Sequence, residues 1–181
     1  MAFKAKYDNI EKYLQSYGKY IVRQARRILQ KRNTTGKLSK SLRYKLVKDQ
    51  DGYDLKFLSA KYGDFIQKGV SGTQTKRSYI GIDGKRKISP FSYKPGLGNS
   101  PNIGAIENWI RKKNIRGRDD LGRFIKSKSL AYLFSKSIQK KGIKSASFYT
   151  QPLSWSYKKF KDDMLKHFKE DVLKNIKAFK K

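Results

Sequence analysis

The chain has no cysteine, one histidine, 14 acidic residues against 44 basic ones, and four prolines in 181 residues. Without cysteine there are no disulfides, no thiolate metal sites and no thiol nucleophile. With His167 as the only imidazole, a serine triad lacks its usual base, and a histidine-rich metal site has no second ligand of that type. His167 stands between Lys166 and Phe168 near the C-terminus, and its expected role is surface or packing. No apolar run approaches the roughly 18 residues that span a bilayer, so no membrane partner is expected. The first residues, Met1-Ala-Phe-Lys-Ala-Lys-Tyr-Asp8, have no signal-peptide core, and the expected site of synthesis and use is a cytoplasm. No Gly-x-x-x-x-Gly-Lys-Ser/Thr or Gly-x-Gly-x-x-Gly pattern is present; Gly96-Leu-Gly98 follows no strand and opens no helix. No cofactor, metal or catalytic residue is therefore expected.

What is abundant is positive charge. The net charge is +30, and it is distributed along the whole chain rather than held in a tail. That pattern suits a folded body with positive faces turned to nucleic acid, an anionic membrane surface or acidic protein. Tyrosine (12) and phenylalanine (10) are also frequent in a chain only 37% apolar, a balance in which amphipathic aromatics often finish at subunit contacts. The length suits one domain, residues 1–181.

Periodicity divides the chain. Ile10, Tyr13, Leu14, Tyr17, Ile21, Ala25, Ile28 and Leu29 recur at threes and fours and predict a helix over about 6–32. Gly18 is its weak point. Arg23, Arg26, Arg27, Lys31 and Arg32 lie on its polar side. Leu42, Tyr44 and Leu46 alternate with Arg43 and Lys45, and Tyr53, Leu55 and Phe57 alternate with Asp54 and Lys56, predicting two strands joined at Asp49–Gly52. Tyr62, Phe65 and Ile66 share a helical face expected to pack inward, and Gly69 and Gly72 are expected to take positive φ where the chain leaves.

Residues 73–101 are rich in Lys, Arg, Ser, Gly, Pro and Asn. They predict a long exposed loop, with a small hairpin possible at Asp83-Gly84, that orders only on assembly. Lys76, Arg77, Lys85, Arg86 and Lys87 make it basic. Asn102 can cap a helix to about Asn114, with Ile103, Ile106, Trp109 and Ile110 on one side. A helix at 127–141 carries Leu130, Leu133, Phe134 and Ile138, with Ser127 or Ser129 as cap and Gly142 as terminator. Pro152 suits the first turn of a last helix, about 153–179, striped by Phe160, Met164, Leu165, Phe168, Val172, Leu173, Ile176 and Phe179. The expected class is α+β: long N- and C-terminal helices packed on a small antiparallel β-sheet, with residues 73–128 as a loop and helix insertion.

Two acidic groupings bear on chemistry. Asp51, Asp54 and Lys56 loosely match the acidic-x-Lys core of one nuclease fold, and a chance hairpin pattern is the simpler account. Asp119-Asp120 could hold Mg²⁺, but Arg118 and Arg123 beside them point to a charged turn. The two basic sets, Arg23, Arg26, Arg27, Lys31, Arg32 and Lys76, Arg77, Lys85, Arg86, Lys87, are candidates to contact DNA phosphates or a partner protein.

Four stretches resemble the head–tail joining proteins of tailed phages, the neck or tail-completion group typified by the gene-10 product of a lambda-like phage. They are Thr35-Gly-Lys-Leu38 with Ser41-Leu42; Tyr62-Gly-Asp-Phe-Ile-Gln-Lys-Gly-Val-Ser-Gly-Thr73; Leu130-Ala-Tyr132 through Lys141-Gly-Ile143; and Phe148-Tyr-Thr-Gln-Pro-Leu153. Tyr62, Phe65, Ile66, Gly69, Gly142 and Pro152 are the motif and packing positions. Lys68 and the length of 73–128 depart from the family pattern. The resemblance implies a non-enzymatic virion subunit forming a sixfold or twelvefold ring at the neck, around a channel for packaged double-stranded DNA. Portal or adaptor and tail proteins would be its neighbours. The alternative is a basic DNA-binding protein without sequence preference.

Overall fold

The computed structural model describes residues 6–30, 36–49, 52–96 and 100–179. Lys31, Arg32, Gln50, Asp51 and residues 97–99 are outside them. Helix α1 (Asp8–Gln30) leads through a short α2 (Lys37–Ser41) to strands β1 (Arg43–Asp49) and β2 (Gly52–Leu58) and then to α3 (Gly63–Lys68). A second strand pair, β3 (Ser78–Ile80) and β4 (Arg86–Ile88), precedes α4 (Ile103–Lys112), α5 (Ser127–Lys141) and the long α6 (Thr150–Phe179). The chain is α+β with long helices at both ends, as expected. Among the described residues its strands form two separate antiparallel ribbons, β1–β2 and β3–β4. Helix α1 touches both β1–β2 and α6.

The main core forms where the apolar stripe of α1 meets the ribbon and the segment before α6. Ile21, Val22, Ala25 and Leu29 pack with Leu38, Leu42, Ala146, Phe148 and Tyr149, and Tyr44, Phe57 and Ile66 close over them. Gly18 has a reason to be glycine. A Cβ there would stand 2.5 Å from the Tyr44 ring, so the helix gives up propensity to let β1 approach. A second apolar cluster joins Ile106 and Ile110 of α4 to Leu130 and Ala131 of α5 and extends to Ile138. Asn102 caps α4, its side chain accepting from Ala105 N–H. Helix α5 starts after Lys126 with no side-chain cap, so neither Ser127 nor Ser129 serves as one. Leu133, expected in its buried stripe, is exposed, and Ala131 and Ser135 take the inward positions.

The four motif stretches converge. Val70 and Ile143 exchange backbone hydrogen bonds of 2.9 and 2.7 Å. Gly142 has φ +72, and a Cβ on it would meet Val70 O at 2.1 Å; a Cβ on Gly72 would meet Lys140 O at 2.0 Å. Gly69 takes positive φ as expected, but Gly72 does not, and close approach is what requires glycine there. Gln67 is buried, donating from Nε2 to Thr150 Oγ1 (2.7 Å) and accepting at Oε1 from Tyr149 N–H (2.9 Å). This rotates α3 away from the expected orientation. Gly63, Ile66 and Gln67 face inward, and Tyr62 and Phe65 stay 46% exposed, with Phe65 against Phe91 at 4.5 Å. A buried amide that bonds both the Thr150 hydroxyl and the Tyr149 N–H outweighs the turn of helix that would have buried the rings.

Residues 73–101 are also different from the expected loop. The Asp83-Gly84 hairpin forms, with Ile80 N–H on Ser147 Oγ (3.0 Å), Ser145 Oγ donating to Ser78 O (2.8 Å) and Ser89 Oγ donating to Gly69 O (2.7 Å). The hairpin is tied to the body by serine hydroxyls, which composition alone reads as loop. Pro152 is fully buried in the first turn of α6, where no intrahelical donor is missing.

Candidate polyanion groove and outer helix face

Helix α6 lies along α1 through an aromatic seam. Phe160 meets Tyr17 at 4.5 Å and Tyr13 at 5.9 Å, His167 meets Tyr13 at 5.0 Å, and Tyr7 stacks on Phe168 at 6.2 Å. Tyr17 and Ser156 share a 2.7 Å hydrogen bond, and Tyr13 donates to Asp163 at 3.2 Å. Burial, and then the neighbouring Asp163 charge, push the Tyr13 phenol well above its ordinary range. His167 is a packing residue with Glu170 Oε2 3.3 Å from its Nδ1.

Asp171, 1% exposed, accepts from Asn9 N–H at 3.0 and 3.2 Å and from Ile10 N–H at 3.0 Å. These are two of the donors that the first turn of α1 leaves without intrahelical partners. The cap comes from 162 residues away in the sequence. Asp171 was not legible as functional in the sequence. The only trace is its place on the 160, 163, 167, 171 row.

That row also explains a misreading. The apolar residues of α6 do not form one stripe. Ser156, Phe160, Asp163 and His167 face α1, whereas Leu165 (58% exposed), Leu173, Ile176 and Phe179 (72% exposed) point the other way. Their spacing of 165, 173, 176, 179 is itself helical, so the helix is apolar on a second, outer side.

The basic residues separate into three groups. Arg27 of α1 meets Lys76, Arg77 and Arg86 of the β3–β4 hairpin, together with Lys144, around one groove of about 980 Å³. No Asp or Glu lines it, and Trp155, 70% exposed, stands at its wall. Arg77 is aimed by a 2.7 Å bond from its Nε to Lys141 O. Arg23 and Arg26, with Lys19, Arg27 and Arg43, line an adjoining depression. Arg26 is partly structural, donating to Ser39 O (3.2 Å) and Leu42 O (3.0 Å) at the end of α2. Lys85 and Lys87 lie outside these grooves, and Lys87 pairs with Asp83 at 3.1 Å. Lys31 and Arg32 fall outside the described residues. A third depression, about 670 Å³, is lined by Tyr17, Tyr20, Arg23, Lys159, Phe160 and Asp163 and shares Trp155 with the first.

The acidic groupings resolve into local contacts. Asp54 pairs with Lys56 at 3.5 Å on the exposed side of β2. Asp119 accepts from the Arg123 backbone (2.8 Å), Leu121 N–H (3.1 Å) and Arg123 Nε (2.9 Å), and the Arg123 backbone bond leads in holding its carboxyl below the usual range. Arg118 instead donates to Gly122 O and covers Phe124 at 4.2 Å. Among the described residues no three His, Asp or Glu side chains gather as a metal site, and no helix is long and apolar enough to cross a membrane. No family model, curated protein or solved structure matches the chain.

Proposed function

We propose that this chain is a structural subunit of a tailed-phage virion: a ring-forming head-to-tail connector, of the neck, tail-completion or tail-terminator kind, set around the DNA channel. The observation that carries the reading is the outer side of α6. Leu165, Leu173 and Ile176 expose a helical apolar row in the isolated chain, on the side away from α1. Apolar rows of this kind belong to surfaces that another protein covers. Three of the four motif stretches meet in the main core, and the third joins them through the Val70–Ile143 backbone bonds at its end; this supports the family resemblance, because their residues do packing and turn work together. The acid-free groove suits the phosphates of packaged DNA. On this reading the partners are further copies of the chain, portal or adaptor and tail proteins, and the particle is assembled in the host cytoplasm.

The test is native mass measurement and electron microscopy of the purified full chain. A closed ring of defined copy number is expected, and Leu165→Lys with Ile176→Lys is expected to release folded single subunits. A folded monomer at high concentration, together with absence of the chain from purified particles, would refute the proposal. The groove also favours a second reading, a DNA-binding protein without sequence preference. Tight binding of naked DNA by single subunits, lost in moderate salt, would favour it over the ring.

A further inference from the structure

Lys76, Arg77, Arg86 and Arg27 are separated by up to some sixty positions in the sequence, yet they surround a single recess with Lys144. Its remaining wall is polar or apolar, including Ser78, Tyr79, Ile80 and Gln151. Such a lining repels no phosphate. Trp155 sits where this recess meets the aromatic depression of Tyr17, Tyr20 and Phe160. Arg23 and Lys19 line both that depression and the adjoining one of Arg26 and Arg43, and Arg27 links the latter back to the first recess. The three hollows are therefore joined by shared side chains into one largely cationic track, with Asp163 its one carboxylate, in the aromatic depression, and an exposed indole where that depression meets the acid-free recess.

We infer that the track binds single-stranded nucleic acid, with the sugar–phosphate backbone along Arg86, Arg77, Lys76 and Arg27 and an unpaired base stacked on Trp155. Charge alone favours the duplex, which carries more phosphates per unit length. Stacking favours the single strand, because duplex bases have no free face to offer, and base–aromatic stacking tolerates any sequence. A mostly exposed indole beside an acid-free cationic recess is the arrangement in which stacking decides the outcome. The inference rests on reading the groove as a polyanion site, and it does not rest on ring formation.

The experiment titrates the full chain with labelled oligothymidylate and with a duplex of equal length at several salt concentrations. Oligothymidylate is expected to bind more tightly than the duplex and to quench Trp155, with Trp109→Phe removing the other indole. Trp155→Ala is expected to weaken single-strand binding by roughly 5- to 150-fold and leave duplex binding unchanged. Lys76→Gln with Arg86→Gln removes two phosphate contacts, so the slope of log K against log salt should become shallower by about 1.4 for the single strand. Lys161→Gln with Lys169→Gln, away from the track, should change neither. Equal binding of both ligands with no effect of Trp155→Ala overturns the inference, leaving only diffuse attraction. So does an equal loss from Lys161→Gln with Lys169→Gln. A ring that binds no strand sinks this inference alone, and a strand-binding monomer sinks the ring alone.

Discussion

Replacing Asp171 by alanine tests how the two terminal helices hold each other. Helix α1 begins at Asp8, so Tyr7 is its cap residue, and Glu11 N–H makes the first i→i−4 bond to Tyr7 O at 3.1 Å. Asn9 and Ile10 are then the positions whose N–H groups a cap side chain normally receives, and Asp171 receives both. Alanine would leave two donors without partners beside a buried Ile10, remove a negative charge from the positive end of the helix, and open a void. A cap is worth about 0.5–2 kcal/mol. Hydrogen bonds to a charged acceptor are worth about 1.5–3 kcal/mol. The two figures overlap, and a loss of about 3 kcal/mol follows, against a total stability of about 5–15 kcal/mol. For a chain of this length that is a drop in Tm of about 6–12 °C. Asp171→Asn keeps the shape and one acceptor oxygen but loses the charge, and should fall about halfway. Thermal melts by far-ultraviolet circular dichroism give the size of the effect. Hydrogen exchange at Asn9 and Ile10 gives its location, with protection lost there first. If Asp171→Ala melts with the parent chain, or the amides of the first turn keep their protection, the capping argument is wrong.

Two further predictions concern the main core. Tyr149 donates its hydroxyl to Leu58 O (2.8 Å), with Arg43 O at 3.3 Å, at the paired ends of β1 and β2, so Tyr149→Phe should cost about 1–2 kcal/mol in urea unfolding. Burial raises the Tyr149 pKa from 10.0 to about 12, so its contribution is complete below pH 10 and lost as pH climbs toward 12. The parent should therefore lose up to about 1.4 kcal/mol per pH unit there that Tyr149→Phe does not lose; parallel alkaline curves would contradict this. Gly142→Ala meets both a positive φ and the Val70 carbonyl, whereas Gly122→Ala meets a positive φ of +78 and open space. The second should cost about 1 kcal/mol and the first at least about 2 kcal/mol more, and similar urea midpoints for the two would refute the close packing of Gly142 against Val70 and Gly72.

The elements legible in the sequence were those in which one periodicity dominates. The α1 stripe, the alternation of β1 and β2, the Asn102 cap and the Gly142 terminator each express a single local preference. Misreadings came where tertiary demands compete. In α3 the buried Gln67 turned the helix so that Tyr62 and Phe65 face out. In α6 two apolar rows on opposite sides summed to a pattern read as one. The small hairpin at Asp83-Gly84 was legible, but its attachment to the body was not, because its anchors are serines, whose partners at 69, 78 and 80 are distant in sequence or on the backbone. The groove was half legible: Arg27, Lys76, Arg77 and Arg86 were singled out in two sets, but nothing local says that the sets meet, and Trp155 and Lys144 carried no signal.

The charge and the outer face of α6 have to be reconciled, because copies carrying +30 each repel. At least six of the 14 carboxylates are engaged within the chain: Asp171 caps α1, Asp163 receives Tyr13, and Asp54, Asp83, Glu107 and Asp119 pair locally. Screening limits the consequence. At physiological ionic strength charges interact over about 8 Å, so only cations near a contact oppose it. On the outer side of α6 those are lysines such as Lys161 and Lys169, whose long stems can lie along apolar surface while the ammonium stays in water. Burial of an apolar side chain contributes about 1.5–3 kcal/mol when complete, and Leu165, Leu173 and Ile176 begin about half exposed. A few such contacts outweigh screened lysine repulsion of less than about 1 kcal/mol per pair. The groove cations sit on the hairpin and α1, away from that row, and so remain available to a polyanion while the helix is covered.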